Sequence, residues 1–250
     1  MTTAYSLQSI IQDSYRHFKE FTEGREYVRN YFGRLAGLKV LDAGCGSDSW
    51  LFDLTACHVT GIDVSLKQMD RNSLIKTRIR ADLHAYENEV WLDSFDLILC
   101  LDVLEHLQDP RLVIEKFMSW VKPDGRIVLA YPNPQSLKGR VTRHSPHIFH
   151  KLFYKISIGT PFSADRDDKG PFNTFLRPDI ELLKLLSLLE ARSFKVDLLV
   201  SIESYQNKLI KRYLSAPLVN RLNKLFLREL SAYLDASATD FILVASRTGD

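Results

Sequence analysis

Three features of the 250-residue chain predict an α/β fold built on a mostly parallel sheet. Short runs rich in Val, Ile and Leu alternate with amphipathic helical stretches through the first half. Strand, helix and strand in repetition imply parallel pairing through right-handed crossovers. The first run, LKVLDAGCG at 38–46, ends in two glycines one residue apart, a turn with little side chain.

Residues 4–36 carry two apolar patterns, Tyr15, Phe18 and Phe21, then Tyr27, Tyr31, Phe32 and Leu35. They predict two helices, an N-terminal helical cap over 1–36. Strands are expected at 38–43, 58–63, 77–81, 95–101 and 125–131. A helix is expected to begin at the glycine turn, with free N–H groups. Another is expected over 109–121, where Asp109 caps, Pro110 takes the first helical position, and Leu112, Val113, Phe117 and Trp120 or Val121 share a face. Residues 132–177 break the pattern. They open with PNPQS, carry the turn-rich GTPFSADRDDKGPFN, and read as an insertion after the fifth strand. A helix over 178–191 follows, with Leu182, Leu185, Leu186 and Leu189 inward, then strands at 194–202 and 240–246. Between those strands, 206–234 reads as a basic helical insertion. The whole chain, 1–250, reads as a single domain with these additions.

Composition sets outer limits. With 45% apolar and 26% charged residues, the chain is neither disordered nor fibrous. Three cysteines without a CxxC pair argue against a disulfide framework and a zinc site, and for a cytoplasmic location; no metal is expected. The N-terminus does not read as a signal peptide, and no apolar run is long enough to span a membrane. Net charge is only +2, yet residues 138–229 hold 17 Lys+Arg against 9 Asp+Glu. That balance is too weak for a nucleic-acid binder. It suits a local basic face toward an anionic small-molecule acceptor or a membrane surface touched peripherally. The sequence is silent on oligomeric state.

Two cofactor classes use a bare turn at the carboxyl end of a strand. A dinucleotide site needs GxGxxG, but the run here is Gly44-Cys45-Gly46-Ser47-Asp48-Ser49, without the third glycine and with a negative charge where a pyrophosphate would lie. A sulfonium-bearing methyl donor has no phosphate, and acidic residues suit its cationic part; Asp42, just before the glycines, is consistent with that. Asp63 ends the second strand, 19 residues after Gly44, where a carboxylate accepts ribose hydroxyls in either class.

Five stretches stand in order over about 40–133: VLDAGCG (40–46), GIDVS (61–65), ADL (81–83), FDLILCLDVLEHL (95–107) and KPDGRIVLAYPN (122–133). With them the chain resembles the class I S-adenosylmethionine-dependent methyltransferases, specifically the group that includes ubiquinone-biosynthesis-type enzymes. The resemblance implies a Rossmann-like sheet of seven strands, the last antiparallel, and S-adenosyl-L-methionine as cofactor. It implies that Asp42, Gly44 and Gly46 line the methionine end, that Asp63 takes the ribose and Val64 packs on adenine. By the same resemblance Asp82 accepts from the adenine amino group with the Leu83 backbone at the ring edge, and Cys100 and Leu101 flank the methionine moiety. One departure stands out: Asp48 and the bulky Trp50 follow the second glycine, where the family often has small residues.

A hydroxyl acceptor profits from a base, and neutral histidine is the usual choice. His106 lies five residues past Leu101, beside the methyl-bearing edge, as base or support. The insertion adds His144, His147 and His150. The last two are three apart; without a carboxylate nearby they read as substrate contact or base rather than metal ligands. Tyr131, Arg143, His144 and Phe172 are candidate acceptor contacts. Aromatics between 149 and 175, with Lys138, Arg140, Arg143, Lys151 and Lys155, give an apolar, cationic lining. That lining suits a lipid-linked, sugar or aromatic-acid acceptor, while the supply of histidines and the family resemblance favour O-methylation. The 207–228 stretch mixes Leu218, Leu222, Leu225 and Phe226 with Arg221, Lys224 and Arg228. Two rival readings stand: a nicotinamide-dependent oxidoreductase, and a catalytically silent cofactor-binding module docked on a membrane or partner.

Overall fold

A computed structural model describes residues 13–144 and 174–248. Its strands are β1 (Tyr15–Phe18), β2 (Lys39–Ala43), β3 (His58–Asp63), β4 (Thr77–Arg80), β5 (Phe95–Leu101), β6 (Val121–Pro132), β7 (Phe194–Ile202) and β8 (Asp240–Arg247). They form one sheet ordered β1-β7-β8-β6-β5-β2-β3-β4. All pairings are parallel except those of β8, which runs antiparallel to both β6 and β7. The Rossmann-like expectation and the antiparallel last strand therefore hold, with eight strands rather than seven.

The extra strand corrects the N-terminal reading. Tyr15–Phe18 is not helical but an edge strand paired with β7. Aromatics at 15 and 18 mimic a helical step, yet the side chains alternate. Tyr15 and His17 both hydrogen-bond Ser201 Oγ at 2.8 Å, while Phe18 stacks on Tyr27 from the opposite face. The second expected helix is present as α1 (Phe21–Phe32), and a one-turn α2 (Leu66–Met69) follows β3.

Alternation along the central strands sends apolar side chains to both faces, as parallel sheets require. Ile98, Cys100, Ile127, Leu129, Phe241 and Leu243 enter one core; Leu97, Leu99, Val128, Ala130, Ile242 and Val244 enter the other. The first core is covered by α3 (Pro110–Trp120) and α5 (Leu182–Ala191). In α3, Asp109 Oδ1 accepts from the Leu112 N–H at 3.0 Å, and Val113, Ile114, Phe117 and Trp120 are buried. Leu112 itself is exposed, one position off the expected face. All four predicted leucines of α5 are buried.

The basic stretch before β8 folds as α6 (Tyr205–Leu214) and α7 (Ala216–Leu227). In α7 the packed positions are Val219, Asn223 and Leu227, so Leu218 and Leu225 face outward. Between β6 and α5 the described residues form α4 (Leu137–His144) and the short stretch that returns at Thr174. The root of α4 is tied to the approach to β8 and to itself. The Asn133 N–H donates to Thr239 O at 2.8 Å, its Nδ2 donates to Ala238 O at 2.8 Å, and Ser136 Oγ accepts from the Gly139 N–H at 3.0 Å.

A Cβ at Gly139 would lie 2.2 Å from the Asn133 carbonyl oxygen. Because Asn133 is pinned on two sides, Gly139→Ala is expected to cost about 2–4 kcal/mol and to lower Tm by roughly 5–12 °C in a thermal melt. An unchanged Tm would show that the root of α4 yields.

Candidate active site

Strand order reverses between β2 and β5, whose carboxyl ends flank the crevice where ligands of open α/β sheets bind. The β2 end turns through Gly44 (φ 73°) and Gly46 (φ 48°), both in the left-handed region open to glycine. A Cβ on Gly44 would sit 2.4 Å from the Val103 side chain. The turn is tied to β3: the Gly44 N–H donates to Ile62 O at 2.7 Å, and the Gly46 N–H to Asp63 Oδ2 at 3.0 Å. The other oxygen of Asp63 accepts from the Ser65 N–H at 2.8 Å.

No helix begins at this turn, contrary to expectation; residues 47–57 run as turns. Short polar side chains compete for the backbone here, with Asp53 accepting both the N–H and the hydroxyl of Thr55. Leu51 and Leu54 are buried, and Arg29 of α1 donates to the carbonyls of Trp50 and Leu51.

Asp42 is buried under the turn and accepts from the Ser49 hydroxyl, which accepts in turn from Asn72 Nδ2 at 3.2 Å. Burial raises the Asp42 carboxyl to about 7, with nearby Asp63 and Asp48 adding to the effect. Beyond β5 the chain passes through Asp102 in a left-handed conformation (φ 56°). Asp102 keeps solvent contact, but the protein packed around it and then Asp240 raise its pKa, and the Trp50 side chain hydrogen-bonds it. Glu105 is buried and also raised, first by burial and then by Asp102; its Oε2 has no hydrogen-bond partner among the described residues. Lys138 is the cation of this group, bonded to both Asp240 oxygens at 2.8 and 3.2 Å. Asp102, Asp240 and Lys138 were not singled out as a group by the sequence. Asp102 was detectable as the acid directly following a strand end, but Lys138 and Asp240 lie 102 residues apart.

The remaining candidates are placed as follows. Val64 is 61% exposed beside Asp63. Asp82 is exposed just past β4; hydrogen bonds from His84 hold its carboxyl low despite some burial. The Leu83 side chain is buried, as are Cys100 and Leu101 at the end of β5. Burial pushes the Cys100 thiol well up, so it packs as a small apolar group. His106 is half-buried, with Nε2 4.0 Å from Glu105 Oε1. Tyr131 is buried at the end of β6 against Phe241, its hydroxyl without a hydrogen-bond partner among the described residues. Arg143 is exposed on α4, and His144 ends that helix. His147, His150 and Phe172 lie outside the described residues. Among the described residues no group of three or more His, Cys, Asp or Glu could hold a metal ion.

Fold and crevice together define a class I methyltransferase, the class that binds S-adenosylmethionine at such an edge. The family described as a methyltransferase domain matches residues 15–197, and the chain belongs to it. A ubiquinone biosynthesis O-methyltransferase of Actinobacillus pleuropneumoniae is 30% identical over 181 residues, covering 67% of this chain and 71% of that protein. Phosphoethanolamine N-methyltransferase 1 of Zea mays is 28% identical over 120 residues, covering 44% of this chain and 24% of that protein. Other curated relatives are spanned over about half their length. Among solved structures, an S-adenosylmethionine-dependent methyltransferase from Mesorhizobium loti superposes with a TM-score of 0.55 at 18% identity, covering 89% of this chain and 96% of that one.

The raised Asp42 gives a signed expectation. Between about pH 4 and 7 the folded chain holds a proton there that the unfolded chain has lost, so stability falls as pH rises through that window. Asp42→Asn is expected to flatten the loss between pH 5 and 8 by on the order of 2–3 kcal/mol in urea unfolding. Parallel pH profiles for the two proteins would refute it.

Proposed function

We propose that the protein transfers the methyl group of S-adenosylmethionine to a hydroxyl oxygen of a small anionic or amphiphilic acceptor. The observation that carries this is the set of carboxylates at the crevice, Asp42, Asp63, Asp102 and Glu105, around a turn with no helix behind it. Acid beside bare peptide suits a sulfonium and an ammonium. A dinucleotide would instead use the N–H groups and dipole of a helix start to hold its pyrophosphate, and residues 47–57 supply no helix start. This counts against the nicotinamide reading, and membership of a methyltransferase family counts against a silent module.

Asp42, Gly44 and Gly46 would hold the methionine end, Asp63 the ribose, and Val64 and Asp82 the adenine, with Cys100 and Leu101 closing the floor. Bound S-adenosylmethionine supplies a methyl group already activated by the charge on sulfur. The protein's part is then to align the acceptor, exclude water and take its proton. His106 takes that proton on its imidazole, flanked by Glu105. Acceptor contacts come from Arg143, His144, Phe172 and the wall around Tyr131, with His147 and His150 as the other bases.

An amphiphile is supported by the kinship with ubiquinone-biosynthesis O-methyltransferases and by the basic 138–229 stretch. The outer stripe of α7 carries Leu218, Arg221 and Leu225, all exposed; Arg228 just past its end is exposed too, and Tyr213 on α6 is 85% exposed. Such a stripe suits peripheral contact with an anionic membrane surface, the source of a lipid-linked acceptor. No described helix is long and apolar enough to cross a membrane.

Labelled methyl from S-adenosylmethionine is expected to appear in an acidic or lipid fraction of cell extract. Tight S-adenosylhomocysteine binding without any transfer would overturn the enzymatic reading. His106→Asn is expected to lower kcat by roughly 10²–10⁴-fold while S-adenosylhomocysteine binding persists. An unchanged kcat would remove His106 as the base.

A further inference from the structure

We propose that His84, steadied by Lys116, fixes Asp82 so that the cofactor site selects a 6-amino purine over a 6-oxo one. The inference rests on the reading of Asp82 as the acceptor for the adenine amino group. Asp82 Oδ1 accepts from the His84 backbone N–H at 2.9 Å and lies 2.9 Å from His84 Nδ1. His84 Nε2 lies 3.0 Å from the Asp109 N–H, the N-cap residue of α3. A ring nitrogen that accepts a backbone N–H carries no proton, so the proton of neutral His84 sits on Nδ1 and is donated to Asp82. The helix start thereby chooses the tautomer, and the tautomer holds the carboxylate.

Lys116, from the next turns of α3, locks the same loop from beneath. Its side chain is 11% exposed, and Nζ donates to the carbonyls of Leu83, His84 and Tyr86 at 3.3, 2.7 and 3.0 Å. The Ala85 and Tyr86 N–H groups return to Asp82 O at 3.1 and 2.9 Å. Both His84 bonds fall on Oδ1, and no described residue donates to Oδ2. An otherwise exposed carboxylate is thus held with one oxygen committed and one left over. An ionised carboxylate only accepts, so it bonds an exocyclic amine and repels a carbonyl oxygen. A freely rotating carboxylate would lose much of that discrimination to water, and the His84–Lys116 frame prevents it.

Calorimetry with S-adenosylhomocysteine and S-inosylhomocysteine tests this on the full chain. The wild type is expected to prefer the adenosyl compound by about 100-fold or more. His84→Ala and Lys116→Met are each expected to cut that ratio by about tenfold. His84→Asn, whose Nδ2 can donate where Nδ1 did, is expected to restore most of it. Equal weakening of both ligands in His84→Ala would overturn the proposal, because a purely structural histidine does that. A ratio lost in Asp82→Asn but kept in His84→Ala would overturn it as well, while leaving Asp82 as acceptor. A ratio unmoved in Asp82→Asn would instead overturn the adenine reading of Asp82 itself.

Discussion

One carboxylate, that of Asp63, fastens both turns of the crevice. Its Oδ2 takes the Gly46 N–H and its Oδ1 the Ser65 N–H, so the peptide after β2 and the peptide after β3 share a single anchor. Charge-assisted bonds of this kind are stronger than neutral ones. The anchor matters more here than in a chain with a helix after its glycines. Residues 47–57 have no intrahelical ladder to hold them, and they rely on Arg29 bonds, on buried Leu51 and Leu54, and on the Asp42–Ser49–Asn72 chain.

The same region concentrates acid at a cost. Asp42 and Glu105 are buried, and Asp102 is crowded by Asp240, so each is pushed up by burial first and by a neighbouring carboxylate next. Within this group Lys138 offsets only Asp240 by direct contact. Like charges held together weaken a fold, and they persist where they serve a site. A cationic ligand relieves that repulsion, which makes the crevice better matched to its ligand than to its own stability.

Much of the sheet was legible because short, nearly continuous apolar runs bounded by polar or turn residues mark strands buried on both faces. Residues 39–43, 58–63, 95–101 and 240–247 are such runs. Edge strand β1 was not legible, since four residues with aromatics three apart fit a helix as well as a strand. The missing helix after Gly46 was hidden for a related reason. Trp50, Leu51 and Leu54 have helical spacing, but Asp53 between them accepts the N–H and hydroxyl of Thr55, and Ser49 before them bonds Asp42, so turns form instead. Of the crevice, the residues next to strand ends could be found by position: Asp42, Asp63, Cys100 and Leu101. His84, Lys116, Lys138 and Asp240 act across gaps of 25 to 102 residues, and only the fold brings them together.

The chain on either side of residues 145–173 is fixed by groups at or next to strand ends of the sheet. Asn133 binds the approach to β8, Ser136 binds the Asn133 carbonyl, Lys138 binds Asp240, and the N–H groups of Phe175 and Leu176 both donate to the Glu105 carbonyl, at 2.7 and 3.1 Å. None of these bonds draws on the sequence in between. A stretch sewn in at both hems tolerates exchange of its fabric, leaving the older scaffold to fold as it did.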